Sequence, residues 1–255
     1  MKKTIVAGLL LTVSWGLAQT EFEKGIAAYN NRAQGSVEDR AQSEYIGKAI
    51  IHFEKALKQP QTEEQVAVYL LRSYYFQGKY VVTDEEGQKS VFQKGKDVGE
   101  NYIAKFPDSA AIRYWYLANL GSWAEVYGIL AAAREGVADL MKEHSEKIMA
   151  LDPAYEDGGG YFMLGAVHYK SPYIPFILSW PDNDDAVKFL TKAFDTGDAT
   201  PSQKVYLAQA LYKDDQEERA IQILEDVAGM SPSEDEPVDD WEQIKKARGL
   251  LEKYK

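Results

Sequence analysis

The chain contains no cysteine, so no disulfide can staple it and no thiolate can act as nucleophile or metal ligand. Histidine is nearly as scarce: His52, His144 and His168 are scattered and lie outside the HExxH spacing of a zinc protease. No P-loop, no GxSxG elbow and no dinucleotide fingerprint occurs, because the run Gly158-Gly159-Gly160 fails the G-x-G-x-x-G spacing at Met163 and no strand precedes it. Clustered cations are missing too. The 29 basic residues are outnumbered by 40 acidic ones, a net charge of −11, which disfavours nucleic-acid backbones and anionic lipid surfaces. These absences predict a non-enzymatic protein with no catalytic residue, no cofactor, no metal and no nucleic-acid partner.

Long hydrophobic runs are confined to the start. Residues 1–18 carry Lys2 and Lys3, an apolar stretch, and small residues at Gly16 and Ala18, the pattern of a secretory signal peptide cut after Ala18. The stretch is too short to span a membrane comfortably, and with no cysteine at the cut no lipid can be attached. The reading predicts an exported, unlipidated periplasmic protein, residues 19–255, with no membrane span after cleavage.

What the sequence does have is a repeated helical pattern. Ala49-Phe53-Ala56, Gly95-Gly99-Tyr102, Met141-Ser145-Ile148, Ala186-Leu190-Ala193 and Ala220-Leu224-Val227 share one spacing of 4 then 3, and their first residues stand 46, 46, 45 and 34 apart. Residues so spaced share a helix face. The last interval equals the tetratricopeptide period. The sequence thus predicts an all-α, tetratricopeptide-like array of about five degenerate helix-turn-helix units. Each has an A helix before the anchored B helix, and an amphipathic helix at 239–255 caps the last apolar face. Within the array, Val81 to Ser90 reads as an inserted loop and Gly78 as a helix stop. Thr62 with Gln65 reads as a capping box, 124–150 as one long helix, and the acidic run 231–240 (SPSEDEPVDD) as a solvated linker.

Asp152, Pro153, Tyr155, Gly158 and Gly159 form the most distinctive motif, a helix stop followed by a glycine hinge. Together with YWYLANLGSWAEVYG, SWPDNDDAVKFLTKAF, KVYLAQALY and KKARGLLEKY, this run resembles the T component of TRAP transporters (TatT) over roughly residues 110–255. The resemblance implies a periplasmic helical protein that binds the substrate-binding (P) subunit of a solute uptake system. It further implies a homo-oligomeric ring and the handling of a small apolar or organic-acid ligand. The alternatives are a general periplasmic repeat scaffold for protein–protein interaction and, from another class, a cell-wall or carbohydrate hydrolase.

A helices line the concave face of such arrays, so their aromatics are the candidate binding residues: Tyr69, Tyr74, Trp115, Tyr116, Trp123, Tyr161, Phe162 and Tyr169, with Tyr173, Phe176 and Trp180 from the following loop. Aromatic rings supply large contact area at low entropic cost. The competing reading is that each fills space between helices. For Asp182 to Asp185 the capping reading outweighs a calcium loop, because the glycine and distal glutamate of that loop are missing.

Overall fold

The structure is a computed structural model that describes residues 19–58, 62–174 and 178–254. Among them the chain forms twelve α-helices: α1 Glu21–Asn30, α2 Ser43–Ala56, α3 Glu63–Phe76, α4 Glu85–Lys105, α5 Ala110–Tyr127, α6 Ile129–Arg134, α7 Val137–Leu151, α8 Tyr155–Lys170, α9 Asn183–Phe194, α10 Pro201–Lys213, α11 Glu217–Gly229 and α12 Pro237–Tyr254. The pairs α1/α2, α3/α4, α5/α7, α8/α9 and α10/α11 are the five units. α12 packs on α10 and α11 as a cap.

Local chemistry sets most of the helix starts. Thr20 with Glu23, and Thr200 with Gln203 behind Pro201, close reciprocal capping boxes on α1 and α10. Asp84, Ser109 and Asp182 each accept a backbone N–H at the mouths of α4, α5 and α9. All the B-helix anchor residues are buried except Tyr102, which is half-buried.

Close helix approach is made at glycine. A Cβ on Gly165 would stand 2.6 Å from Leu190 Cγ and 2.9 Å from Leu190 N, so α8 and α9 touch almost backbone to backbone.

Several local expectations fail for identifiable reasons. The stretch 81–90 is mostly helix, because Asp84 caps α4 and Glu85 and Glu86 favour its positive end. Gly78 does not stop α3, which runs on through a π turn over Gln77–Val81; Gly78 instead admits the Phe92 ring, 2.6 Å from where its Cβ would be. Thr62 makes no capping bond to α3. The predicted helix 124–150 is broken twice, at Gly128 (φ 85°) and Gly136 (φ 64°), angles that glycine tolerates without steric cost. The leader at 1–18 and Pro60 lie outside the described residues.

The acidic run is not a free linker either. Pro237 opens α12, Val238 is 1% exposed within the core of the first two units, and Asp240 is buried while accepting Ser233 N. One helix therefore joins both ends of the array: its first turns against the core of the first two units and the π turn after α3, its remainder on α10 and α11.

Candidate functional site

The A helices α3, α5, α8 and α10 surround a cavity of about 1200 Å³, with α12 along one side. A pocket this size exceeds the roughly 300–1,000 Å³ usual for small-molecule sites. Its wall changes character along the array. Where α5, α7 and α8 line it, it is mainly apolar, with Leu117, Val137, Met141, Met163, Val167 and the loop's Leu178 beside Glu125, Asp139 and Lys170; where α3 meets α12 it carries Arg72, Tyr75, Lys79, Tyr80, Glu236, Asp239 and Glu242.

The polar end is built on two helix faces. Arg72, Tyr75 and Lys79 recur at intervals of three and four along α3 and its π turn, so they share one stripe. Arg72 Nε donates to Tyr29 Oη at 3.2 Å, and its guanidinium stands 4.8 Å from the Trp115 ring centroid, a cation–π contact. Lys79 Nζ lies 2.8 Å from Glu242 and donates to Tyr75 Oη at 2.9 Å. Tyr80 Oη donates to Asp239 Oδ1 at 2.6 Å. Glu236 pairs with Arg32 and stands 3.8 Å from Arg72.

Burial and like charge move the ionisation of these groups. Burial, then the Glu236 charge, pushes the Asp239 carboxyl up to about 7, against the pull of Lys79 and the Tyr80 hydroxyl. Glu156 is raised by burial, with Arg72 opposing. On α12, burial and then the charge of Lys170 bring Lys246 down to about 8; its ammonium sits 4.7 Å from the Tyr206 ring centroid.

The hinge motif lies beside this end. Glu156 (φ 48°), Asp157 (φ 52°) and Gly158 (φ 78°) are left-handed, a conformation that costs roughly 1–2 kcal/mol for a residue with a Cβ. Gln203 Nε2 holds the strained turn by donating to the carbonyls of Glu156 and Asp157. Gly159 is helical and makes room for Tyr114, which would lie 2.5 Å from its Cβ. Asp152 and Pro153 are exposed; Asp152 ends α7 and accepts Ala154 N. Tyr155 meets the Tyr114 ring edge-on at 5.7 Å.

Of the aromatic candidates, Trp115 and Phe162 line the cavity. Tyr69 stacks on Phe53 and meets Tyr29 edge-on in the first core, and buried Tyr74 donates to Glu54. Tyr116 packs against His144, while Trp123 donates to Gln93 and stacks on Tyr127. Tyr161 lies under Lys192, and Tyr169 faces Tyr206 edge-on. Tyr173 is 63% exposed, Trp180 meets His168 edge-on and donates to Asp139, and Phe176 lies outside the described residues. In the loop before α9, Ile174 and Leu178 bridge each other and both line the cavity.

The residues that sequence reasoning passed over are the charged ones: Arg72, Lys79, Glu156, Glu236, Asp239 and Glu242. The available signal was two cations on an otherwise apolar α3 face, three and four residues either side of Tyr75.

One group of possible metal ligands occurs among the described residues, His168, Asp182 and Asp185, whose ligand atoms lie within 4.8 Å of one another. Each already has local work. Asp182 caps α9, Asp185 pairs with Lys188, and His168 Nδ1 accepts the Asp182 N–H.

A model of the family described as regulator of microtubule dynamics protein 1-3 matches residues 28–177. The chain belongs to this family. Regulator of microtubule dynamics protein 3 of Mus musculus is 34% identical over 94 residues, 37% of this chain and 19% of that protein. The Rattus norvegicus counterpart is 34% identical over 106 residues, 41% of this chain and 21% of that protein. The alignments thus span about a fifth of those relatives. Among solved structures, a thermophilic TPR protein of Thermus thermophilus superposes with a TM-score of 0.60 at 15% identity, covering 90% of this chain and 98% of that one. That likeness establishes the tetratricopeptide-like fold.

The family match overturns the transporter reading. Membership in the T component of TRAP transporters, the P-subunit partner with its ligand and ring, and the periplasmic placement all give way to a family whose matched relatives are mouse and rat regulators of microtubule dynamics. The segments that suggested the transporter family are packing patterns of α5, α8, α9, α10 and α12 and the strained turn at the start of α8. A small residue beside leucine, as at Leu164-Gly165, reports how repeat helices pack and says little about what they bind. Among the described residues, no helix is long and apolar enough to cross a membrane.

Proposed function

We propose that this chain is a non-catalytic interaction module of the regulator of microtubule dynamics family, engaging a protein partner through its concave cavity. The observation that carries the reading is the charged and aromatic end of that cavity. There Arg72, Lys79 and Trp115 stand on one wall, already in register with an acidic helical turn of the chain itself. Tetratricopeptide-like arrays hold protein segments on this face, and a cation–aromatic wall suits a helical or extended acidic segment. The titratable groups there are committed to ion pairs and hydrogen bonds, which suits recognition better than turnover.

The test is to add the purified chain to dynamic microtubules assembled from purified tubulin and record growth and shrinkage rates. The wild type is expected to change those rates and Arg72→Ala/Trp115→Ala to leave them at the tubulin-only value. Equal effects of the two proteins, or none from either, would sink the reading.

The apolar end favours a second reading. Leu117, Val137, Met141, Met163, Val167 and Leu178 give that end the lining of a site for a long hydrocarbon chain, whose polar head would have to compete with Glu236 and Glu242 for Arg72 and Lys79. Native mass spectrometry of the purified chain separates the readings, since a retained amphiphile would appear as a discrete added mass.

A further inference from the structure

Glu236, at the N-cap position just before α12, and Asp239 and Glu242, on its first two turns, recur at intervals of three and form one acidic stripe. Opposite it Arg32, Arg72, Lys79 and Tyr80 form a matching ladder. Arg32 and Arg72 take Glu236, Tyr80 takes Asp239, and Lys79 and Tyr80 share Glu242. Alone, an acidic proline-bearing run such as 231–240 would stay solvated. Here it is ordered against this wall, with Asp239 standing 159 residues away in sequence from the tyrosine it contacts. We propose that the Arg32–Arg72–Lys79 wall is a docking slot for an acidic helical segment of a partner protein, and that residues 236–242 are its resident intramolecular occupant, which the partner must displace. The proposal rests on the interaction-module reading and names the chemistry of the partner.

Two features make displacement feasible. The helix divides its anchoring: Ile244 and Ala247, both 0% exposed, belong to the buried part of the cap, whereas the acidic stripe faces Arg32 just beyond α1, Arg72 on α3 and Lys79 in the π turn. The ion pairs are also reachable from solvent, with the Glu236 and Glu242 side chains 40% and 30% exposed. Exchanging one such acidic stripe for another replaces like contacts with like, so Arg32, whose side chain is only 7% exposed, keeps a carboxylate partner in either state. The buried Val238 is the part of the resident turn with no charged substitute, so a displacing segment needs an apolar residue between its carboxylates.

The experiment uses a fluorescein-labelled peptide of residues 231–243 and the full chain, with binding followed by fluorescence polarisation. Wild type is expected to bind it weakly, because the resident turn fills the slot. Glu236→Gln/Asp239→Asn/Glu242→Gln is expected to bind at least about tenfold tighter, since apparent affinity scales with the fraction of open slots. Adding Lys79→Glu to that variant should abolish binding. Circular dichroism and a thermal melt establish that each variant is folded. If the triple variant does not fold, Glu242→Gln alone serves, with a smaller gain expected in the same direction. A folded variant with no gain over wild type, or a gain that Lys79→Glu leaves intact, overturns the proposal. Because the readout is peptide binding alone, a failure of the microtubule assay with this result intact would sink the functional reading and leave the slot standing.

Discussion

Tyr80 donates its hydroxyl to Asp239 at 2.6 Å across 159 residues of sequence. The bond joins the π turn after α3 to the first turn of α12, tying the second unit of the array to its cap. Tyr80→Phe keeps the ring against Phe76 but leaves the half-buried Asp239 carboxyl one donor short. A loss of about 1 kcal/mol is expected, the net worth of one such hydrogen bond. Urea denaturation measures it, and a loss below a few tenths of a kcal/mol would show that the bond does not hold the array together.

Asp239 also sets a pH dependence whose sign can be worked out. Its carboxyl titrates near 3.8 when unfolded and is pushed up to about 7 in the fold by burial and the Glu236 charge. Between those values the folded chain holds a proton that the unfolded chain has released, so stability falls as pH rises. The contribution is fully present below 3.8 and lost as pH climbs through 7. Lys79 and the Tyr80 hydroxyl oppose the shift, and Glu242 adds to it. Glu21 works in a separate, lower window: Lys24 and then His52 hold it down at about 2, so its contribution is lost only as pH falls from 4.5. Burial holds the His144 and His168 imidazoles low, which pulls the other way, so the Asp239 share is read from the urea-midpoint difference between wild type and Asp239→Asn, with wild type expected to lose ground to the variant from about pH 5 to about pH 8. An unchanged slope in the variant would assign the dependence to other groups.

The fold was legible because burial leaves a period in the sequence. Ala186, Leu190 and Ala193 are each 0% exposed on α9, as their spacing required. The helix ends were less legible, since the breaks at Gly128 and Gly136 depend on local φ values that an alanine-rich pattern does not show. The cavity's polar end was hidden for a different reason. Asp239 and Glu242 look like solvated surface until the array brings Lys79 opposite them, and that meeting depends on the superhelix as a whole. Aromatic content likewise pointed to Tyr69 and Trp123 as readily as to Trp115, although the first two fill cores and only the third lines the cavity.

Glycine substitutions separate close approach from mere helix content. Gly165→Ala would drive a Cβ to 2.9 Å from the Leu190 backbone nitrogen, which cannot swing aside as a side chain would. A loss of about 1–3 kcal/mol is expected from such overpacking. Gly47→Ala on α2 meets nothing within 4 Å, so it should gain about 0.5–1 kcal/mol from helix propensity and a less flexible unfolded chain. Thermal melts of the pair check both signs, and a stable Gly165→Ala would show that α8 and α9 have slack.

The two tryptophans of α5 give the sharpest contrast between packing and binding. Trp123 is 4% exposed, hydrogen-bonded to Gln93 and stacked on Tyr127. Trp123→Ala should therefore cost about 3–5 kcal/mol as a cavity in the core. Trp115 is half-buried, with its ring against the Arg72 guanidinium and edge-on to Tyr75 at the cavity wall. Trp115→Ala removes a cation–π contact of about 0.5–2 kcal/mol from a residue that is half-buried where Trp123 is buried. The expected outcome is a protein that melts only slightly below wild type yet lacks the effect on microtubule growth that the proposed function assigns to the wild type. Should Trp115→Ala melt as early as Trp123→Ala, its ring belongs to the packing of α3 on α5, and the binding wall would have to be assigned to Arg72 and Lys79 without it.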